Sequence, residues 1–381
     1  MHIGFITSDF PFYNAKSIGG IGTSIKNLVM ALARNDVKVS VFVYEQTENA
    51  VFEEGGVKIH LIKVQKYKVF GWYLHRKYIQ NYLSKIIVSE EIDLIEAPDW
   101  TGITAFMNLK VPLVIRLHGS DTYFCHLEQR KQKIKNFWFE KLAISKAQAF
   151  IAPTSFAGEL SKKLFNIQNK QIKTIHYGLE LDQFINTNPS VYENGLILYI
   201  GAIIRKKGVL ELPVIFHKVK EKYPNAHLVL IGNDSYDILT KSKSTWELVQ
   251  QICHSEDLDA ITYLGKIPYQ EVKEYIKKAH VCVFPTFAET LGMVTIESMA
   301  LQKPVVNSNM GWAQELITDG ENGYLVYPKN HDEFVNKIIG LLDDENLCSF
   351  IASAARTRVE NVFDIEKIVK QNIDFYKTLI V

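Results

Sequence analysis

The feature that most constrains this chain is a rhythm of short apolar runs separated by stretches of helical period. In the first half the runs are Ile3–Ser8, Val37–Val43, Val57–Val64, Ile92–Ala97, Leu113–Leu117 and Ala149–Ala152. Ser24–Asn35, Tyr73–Ser89 and Phe137–Lys146 carry helical spacing between them. Near-continuous apolar strands are buried on both faces, and strands alternating with helices imply a parallel, doubly wound α/β sheet. The rhythm breaks over 178–195, where Asn186, Asn188, Pro189, Ser190, Asn194 and Gly195 cluster as in a linker. It restarts with Leu196–Ile200, His227–Ile231, Ile261–Leu264, Val281–Phe284, Pro304–Asn307 and Tyr324–Val326. A last helical stretch, Ile365–Leu379, follows the final strand. The expected layout is a domain over 1–177, a linker over 178–195, a second domain over 196–364, and a C-terminal helix over 365–381 positioned to pack back on the first domain. At 381 residues the chain exceeds the roughly 250–300 that one core supports.

Several function classes drop out early. No run of 18 apolar residues exists, so no membrane-spanning helix is expected. The opening MHIGFITSDF lacks a basic n-region and reads as a first strand rather than a signal peptide, which points to a cytoplasmic protein. Cys125, Cys253, Cys282 and Cys348 are scattered without CxxC spacing, so neither zinc nor a disulfide framework is indicated. The acidic pairs Asp257/Asp259 and Glu180/Asp182 do not lead from a core strand into a loop, and no catalytic metal is expected.

In doubly wound sheets, ligands bind beyond the carboxyl ends of the strands. Two such sheets facing each other make a cleft, so the residues just after strands are the candidates. After Phe284 comes Pro-Thr-Phe-Ala-Glu289-Thr-Leu291-Gly292, then an apolar stretch holding Glu297. A helix starting near Thr290–Leu291 would present free backbone N–H groups and the positive end of its dipole there. That suits a phosphate or an oxygen-rich sugar. The same pair of glutamates would also suit a dipole residue followed by a solvated one. After Ile200 comes Gly201-Ala202-Ile-Ile-Arg205-Lys206-Lys207-Gly208, a glycine loop with three consecutive cations. It fits a diphosphate, or a solvated basic turn. In the first half, Gly19-Gly20-Ile-Gly lies about ten residues beyond its strand, too far for a dinucleotide fingerprint. His118, in Arg116-Leu-His-Gly, stands directly after a strand.

The stretch from Val283 to Ala300 resembles the Glu-x7-Glu signature of the retaining GT-B glycosyltransferases of the large group 1 family. The continuation agrees: Ala300-Leu-Gln-Lys-Pro-Val-Val306 resembles the family's A.G.PVV segment, and Gly311–Val326 resembles GG..E.I.DG.NG.LV. The resemblance spans nearly the whole second half. It implies a GT-B fold of two Rossmann-like domains, the second binding the donor and the first the acceptor. It implies that Glu289 contacts the donor sugar and Glu297 the nucleotide ribose, with the amides of Leu291 and Gly292 facing the diphosphate or sugar hydroxyls. Lys207 matches the lysine that neutralises the leaving diphosphate. Ala202 stands where many relatives have Arg, and Arg205 is the expected substitute. Gly265-Lys266-Ile267-Pro268 resembles the loop that touches the base, Gly20 the loop that approaches the donor phosphates, and His118 the residue that hydrogen-bonds the transferred sugar. Asp121 is assigned to the acceptor. His176 replaces part of a Pro-Asn-Gly element, affecting hinge shape.

The implied reaction moves a hexosyl or N-acetylhexosaminyl group from a nucleotide-diphosphate sugar, a UDP-sugar by family frequency, to an acceptor hydroxyl with retention. Bacterial cell-surface polysaccharide or glycolipid synthesis is the expected setting, with no cofactor and no metal required. A GT-B sugar-nucleotide epimerase and a non-catalytic sugar-nucleotide binding protein are the alternatives. Charge adds a partner. Residues 1–190 hold 23 Lys and Arg against 17 Asp and Glu, while 191–381 hold 20 against 25. Residues 55–89 and 129–139 contain no acid and interleave Lys and Arg with aromatics such as Trp72, Phe137 and Trp138. This suits an anionic membrane surface on the inner face of the plasma membrane, with a saccharide or lipid-linked acceptor. No motif accompanies it that would make nucleic acid the partner.

Overall fold

The structure, a computed structural model, describes residues 1–12 and 20–380. Two compact units emerge: Met1–Leu179 with Ile365–Val381, and Glu180–Asp364.

The first unit is an eight-stranded sheet built from β1 (His2–Thr7), β2 (Lys38–Gln46), β3 (Ala50–Glu54), β4 (Val57–Lys63), β5 (Leu94–Pro98), β6 (Leu113–Arg116), β7 (Ala149–Ala152) and β8 (Ile172–Thr174), in the order β3-β4-β2-β1-β5-β6-β7-β8. All neighbours pair in parallel except β3 and β4. Five helices accompany the strands: α1 (Gly20–Arg34), α2 (Gly71–Ser89), α3 (Asp121–Leu127), α4 (Ile134–Lys146) and α5 (Ser155–Phe165). β1, β5, β6 and β7 are buried along their whole length, as a sheet covered on both faces requires. α1 buries Ile25, Leu28, Val29 and Leu32, a stripe at helical spacing.

The second unit is a six-stranded, wholly parallel sheet of β9 (Leu196–Ile200), β10 (His227–Ile231), β11 (Ile261–Tyr263), β12 (Val281–Phe284), β13 (Val305–Ser308) and β14 (Tyr324–Val326). Its order, β11-β10-β9-β12-β13-β14, is the 3-2-1-4-5-6 arrangement of a Rossmann sheet. The direction of winding reverses between β9 and β12, so the loops after those two strands flank the switch point. The unit's helices are α6 (Leu212–Lys222), α7 (Thr245–Ile252), α8 (Tyr269–Lys278), α9 (Met293–Ala300), α10 (His331–Asp343) and α11 (Glu345–Val362).

The last helix, α12 (Ile365–Lys377), belongs to the first unit. Its buried Ile365, Ile368, Val369, Phe375 and Tyr376 share one core with α1. A polar clamp fixes the register. Arg116 donates to Glu96 at 2.6 and 3.0 Å and to Asn372 at 2.6 Å, and the Tyr376 hydroxyl donates to Glu96 at 2.6 Å, all buried.

Two expectations need correction. Residues 178–195 are not a free linker. The division falls after Leu179, and the following segment is tied into the second unit by Glu193 N donating to Lys278 O, Asn186 Nδ2 to Leu301 O, and Lys303 Nζ to Pro189 O. β3 and β8 also escaped the sequence reading. β3 joins β4 through Gly55-Gly56, both at positive φ (59° and 78°), the backbone a two-residue hairpin turn demands.

Candidate functional site

At the switch point of the second unit the loops after β9 and β12 are built into one another. The first loop tightens at Arg205–Lys207 and leaves through Gly208 at φ 73°. A Cβ there would lie 1.8 Å from Pro285 O, so only glycine lets the loops close. Phe287 N and Ala288 N then donate to Lys206 O at 2.9 and 3.3 Å. The result is a direct ion pair between the Lys207 ammonium and the Glu289 carboxylate. Burial alone would raise the Glu289 carboxyl, but Lys207 outweighs it and holds the group below its ordinary range. Lys206 adds to the same field.

The helix expected from Thr290–Leu291 begins instead at Met293. Gly292 precedes it at φ 101°, and a Cβ there would sit 3.1 Å from the Trp312 ring. Residues 285–292 are therefore loop, and Glu289 stands in it rather than on a helix. The Leu291 side chain is fully buried, which leaves only its backbone for a ligand. Glu297, on α9, is buried and accepts a 2.6 Å hydrogen bond from the Tyr269 hydroxyl. Burial pushes its carboxyl up to about 7, against the pull of Tyr269 and Lys273. Lys273 lies over the rings of Phe184 and Tyr269 and donates to Gln183 O at 3.0 Å. The loop leading to Tyr269 carries Lys266, exposed, and Ile267, half-buried, after Gly265 at φ 65°.

Two assigned side chains are already engaged elsewhere. Arg205 makes a two-pronged pair with Asp237, 2.9 Å on each arm, and this pairing holds the Asp237 carboxyl far below the usual range. It clamps the segment after β10, and does not stand free as a substitute for the arginine that Ala202 displaces. Asp121 is bound by Arg130 at 2.8 Å and Asn136 at 2.9 Å, so its carboxylate is satisfied within the first unit.

In the first unit His118 follows β6 as expected. Its ring is buried, lies nearly parallel to Tyr177 and shares a 2.7 Å hydrogen bond with the Tyr177 hydroxyl. Burial, then the nearby Arg116 charge, lowers its pKa to about 3, so the ring is neutral. It can orient a hydroxyl but cannot supply a cation. Behind it, the buried Asp99 accepts from Gly119 N at 3.2 Å; burial and the neighbouring Glu140 push its carboxyl up to about 8. His176 is held by a 2.7 Å contact between Nδ1 and Pro153 O. Gly20 is the first residue of α1 and exposed, with nothing within 4 Å of the place a Cβ would take. Gly19 lies outside the described residues.

The structure thus brings Lys207 and Glu289 together and places Glu297 against Tyr269. Sequence reasoning missed Tyr269, Asp237, Tyr177 and the Asp99–Glu140 pair.

Residues 182–358 match the family described as glycosyl transferases group 1, and residues 18–183 the family described as glycosyltransferase family 4. An uncharacterized glycosyltransferase of Methanocaldococcus jannaschii is 27% identical over 336 residues, 87% of this chain and 86% of that one. The capsular polysaccharide biosynthesis glycosyltransferase CapM of Staphylococcus aureus is 27% identical over 57% of this chain and 52% of its own. Among solved structures, Anabaena HepE in complex with UDP-glucose superposes with a TM-score of 0.76 at 20% identity, covering 100% of both chains. The two parallel α/β units therefore have the GT-B fold.

Proposed function

The chain belongs to the group 1 glycosyltransferases, and from that membership we propose that it moves a sugar from a nucleotide-diphosphate sugar to an acceptor hydroxyl with retention of configuration. The donor is a UDP-sugar, in keeping with the UDP-glucose held by Anabaena HepE. The sugar is a hexosyl or N-acetylhexosaminyl unit. The acceptor is a saccharide or lipid-linked saccharide of bacterial surface polysaccharide or glycolipid synthesis, in keeping with the capsular role of the S. aureus relative. Its membrane setting rests on the basic, aromatic face of the first unit.

The observation that carries the reading is the Lys207–Glu289 pair at the switch point, with Glu297 beyond it. When the glycosidic bond to the diphosphate breaks, negative charge grows on the leaving phosphate. A fixed ammonium there stabilises that charge more in the transition state than in the ground state. Lys207, neutralised by Glu289 in the free protein, turns to the diphosphate; Glu289 then accepts from sugar hydroxyls, and Glu297 from the ribose. The acceptor hydroxyl loses its proton to the departing phosphate oxygen. Lysine charge does the work of a metal ion, and no cofactor is required.

The test is a panel of UDP-, GDP- and ADP-sugars read by thermal shift, followed by NMR of donor with and without saccharide acceptors. A UDP-sugar should raise the melting temperature and be consumed with acceptor. Epimerisation of donor incubated alone would overturn the transfer reading, as would saturable binding without turnover for every acceptor tried.

A further inference from the structure

A second chemistry-bearing cluster lies in the second unit outside the loops after β9 and β12. His217 stands on α6, while His254 and Glu256 stand just after α7. One donor atom of each of these three residues lies within 4.8 Å of the other two. The two imidazole rings are parallel within 5°, their centroids 3.6 Å apart. Asp257 is buried and meets His217 Nδ1 at 2.8 Å. Glu256 approaches the same nitrogen at 3.8 Å, and Glu221 approaches His217 Nε2 at 3.9 Å. Asp259, two residues beyond Asp257, makes none of these contacts; His217 comes from a helix some forty residues earlier.

We propose that His217, His254 and Glu256 bind one divalent first-row transition ion of the zinc or nickel kind, with Asp257 orienting His217. Imidazole mixed with carboxylate selects such ions over magnesium and calcium, which take all-oxygen sites. A buried carboxylate behind a ligating histidine is the usual means of fixing its ring and raising its basicity. Metal–donor bonds of ~2.0–2.2 Å place tetrahedral donors roughly 3.3–3.6 Å apart, so a spacing of up to 4.8 Å must contract by up to about 1.2–1.5 Å. Asp257 occupies His217 Nδ1, so Nε2 is the ligating atom, and the two rings unstack as the exposed His254 and Glu256 turn toward it by rotamer change. Their exposure also gives the ion an entry path. Its effect is to tie α6 to the 254–257 segment, which is a matter of stability. The inference stands apart from the sugar-transfer reading, and transfer should be the same with the site empty.

The test uses the full chain, stripped with chelator and titrated calorimetrically with Zn²⁺, then with Co²⁺ to read coordination by its visible absorption. One ion per chain should bind, Zn²⁺ should raise the melting temperature, and excess Mg²⁺ should not compete. His217→Ala and His254→Ala should each weaken binding at least tenfold and remove the thermal shift. His227→Ala, whose ring lies near Glu193 elsewhere, should change neither. Because His254 is exposed, His254→Ala carries the test if His217→Ala does not fold. Stoichiometry well below one ion per chain, unchanged affinity in His254→Ala, or equal competition by Mg²⁺ would each overturn the proposal.

Discussion

Glu297 is poised at its midpoint near neutral pH, since burial lifts its carboxyl to about 7. In the ribose contact proposed above, only the ionised form can accept from both hydroxyls, so nucleotide affinity should fall as pH drops through about 7. Glu297→Gln should flatten that dependence, and Tyr269→Phe, which removes a donor favouring the ionised form, should move the inflection upward; titration of nucleotide binding against pH reads both. Stability carries the opposite sign. The folded carboxyl holds its proton above the ordinary value of 4.5, so this contribution is complete below about 4.5 and is lost as pH rises through about 7. Glu297→Gln should therefore raise the melting temperature more near pH 8 than near pH 5, while weakening the donor. At the neighbouring pair, Lys207→Ala should lower kcat by about 10²–10³-fold, the order seen when a transition-state charge partner is removed. Transfer by the unaltered protein should persist in excess EDTA; a rate that collapses with chelator and returns with Mg²⁺ or Mn²⁺ would show that lysine does not carry this charge. The placement of Glu289 and Lys207 was legible in the sequence because each sits in a loop just beyond an apolar strand. Tyr269 could not, since Pro-Tyr-Gln-Glu reads as any helix start and its carboxylate partner lies 28 residues away. Arg205 misled for the same reason: Asp237, 32 residues on, had no local signal to claim it.

At the scale of elements, the closure of two loops on one glycine sets the geometry of those residues. Gly208→Ala would put a methyl group against Pro285 O and force a left-handed backbone on a residue that resists it. Turnover should fall as Lys207 swings from Glu289, and the melting temperature should drop by an amount equivalent to at least ~1–3 kcal/mol. Helix α12 makes a larger claim. Ile365, Ile368, Val369, Phe375 and Tyr376 are each at most 4% exposed. Burying a large apolar side chain contributes ~1.5–3 kcal/mol, so the five together rival the ~5–15 kcal/mol that holds a domain folded. Deleting 365–381 should abolish the first unit's calorimetric transition and open it to protease while the second unit stays protected. Tyr376→Phe, which removes the 2.6 Å donor to Glu96 and the 3.2 Å acceptor of Arg116, should cost ~1–3 kcal/mol. The central strands were legible because a sheet buried on both faces writes continuous apolar runs. β3 was not, because Ala-Val-Phe-Glu-Glu at a sheet edge alternates exposed with half-buried residues and only the Gly-Gly turn announces it. Helix starts shifted by a few residues wherever a glycine or a polar cap, not hydrophobic period, sets them, as at Met293.

For the whole molecule, the observed division sharpens the charge asymmetry. The first unit holds 26 Lys and Arg against 17 Asp and Glu, and the second 17 against 25, so they carry +9 and −8. The two acid-free segments of the first unit, far apart in sequence, meet on one surface. Trp72 packs on Phe139 with centroids 5.1 Å apart, and the Lys135 ammonium lies over both rings. In the same two segments Val69, Phe70, Ile134 and Trp138 are exposed apolar side chains, and Lys66, Lys68, Lys131, Lys133 and Lys135 are exposed cations. Among the described residues no helix is long and apolar enough to cross a bilayer, so attachment here would be at the surface. Each cation near an anionic membrane contributes about 1 kcal/mol, and several reaching the surface together would suffice for reversible binding. Aromatics entering the interface would add a part that salt does not screen. Co-sedimentation with liposomes should therefore require anionic lipid and weaken as salt screens charges over ~8–10 Å. Lys131, Lys133 and Lys135 changed together to Ser should leave most of the protein in the supernatant. Phe70→Ser with Trp138→Ser should instead remove the fraction that survives high salt, since those side chains contribute area rather than charge. Protein that stays in the supernatant with strongly anionic liposomes at low salt would mean that this face is only a solvated one, and the acceptor would then be sought among soluble saccharides.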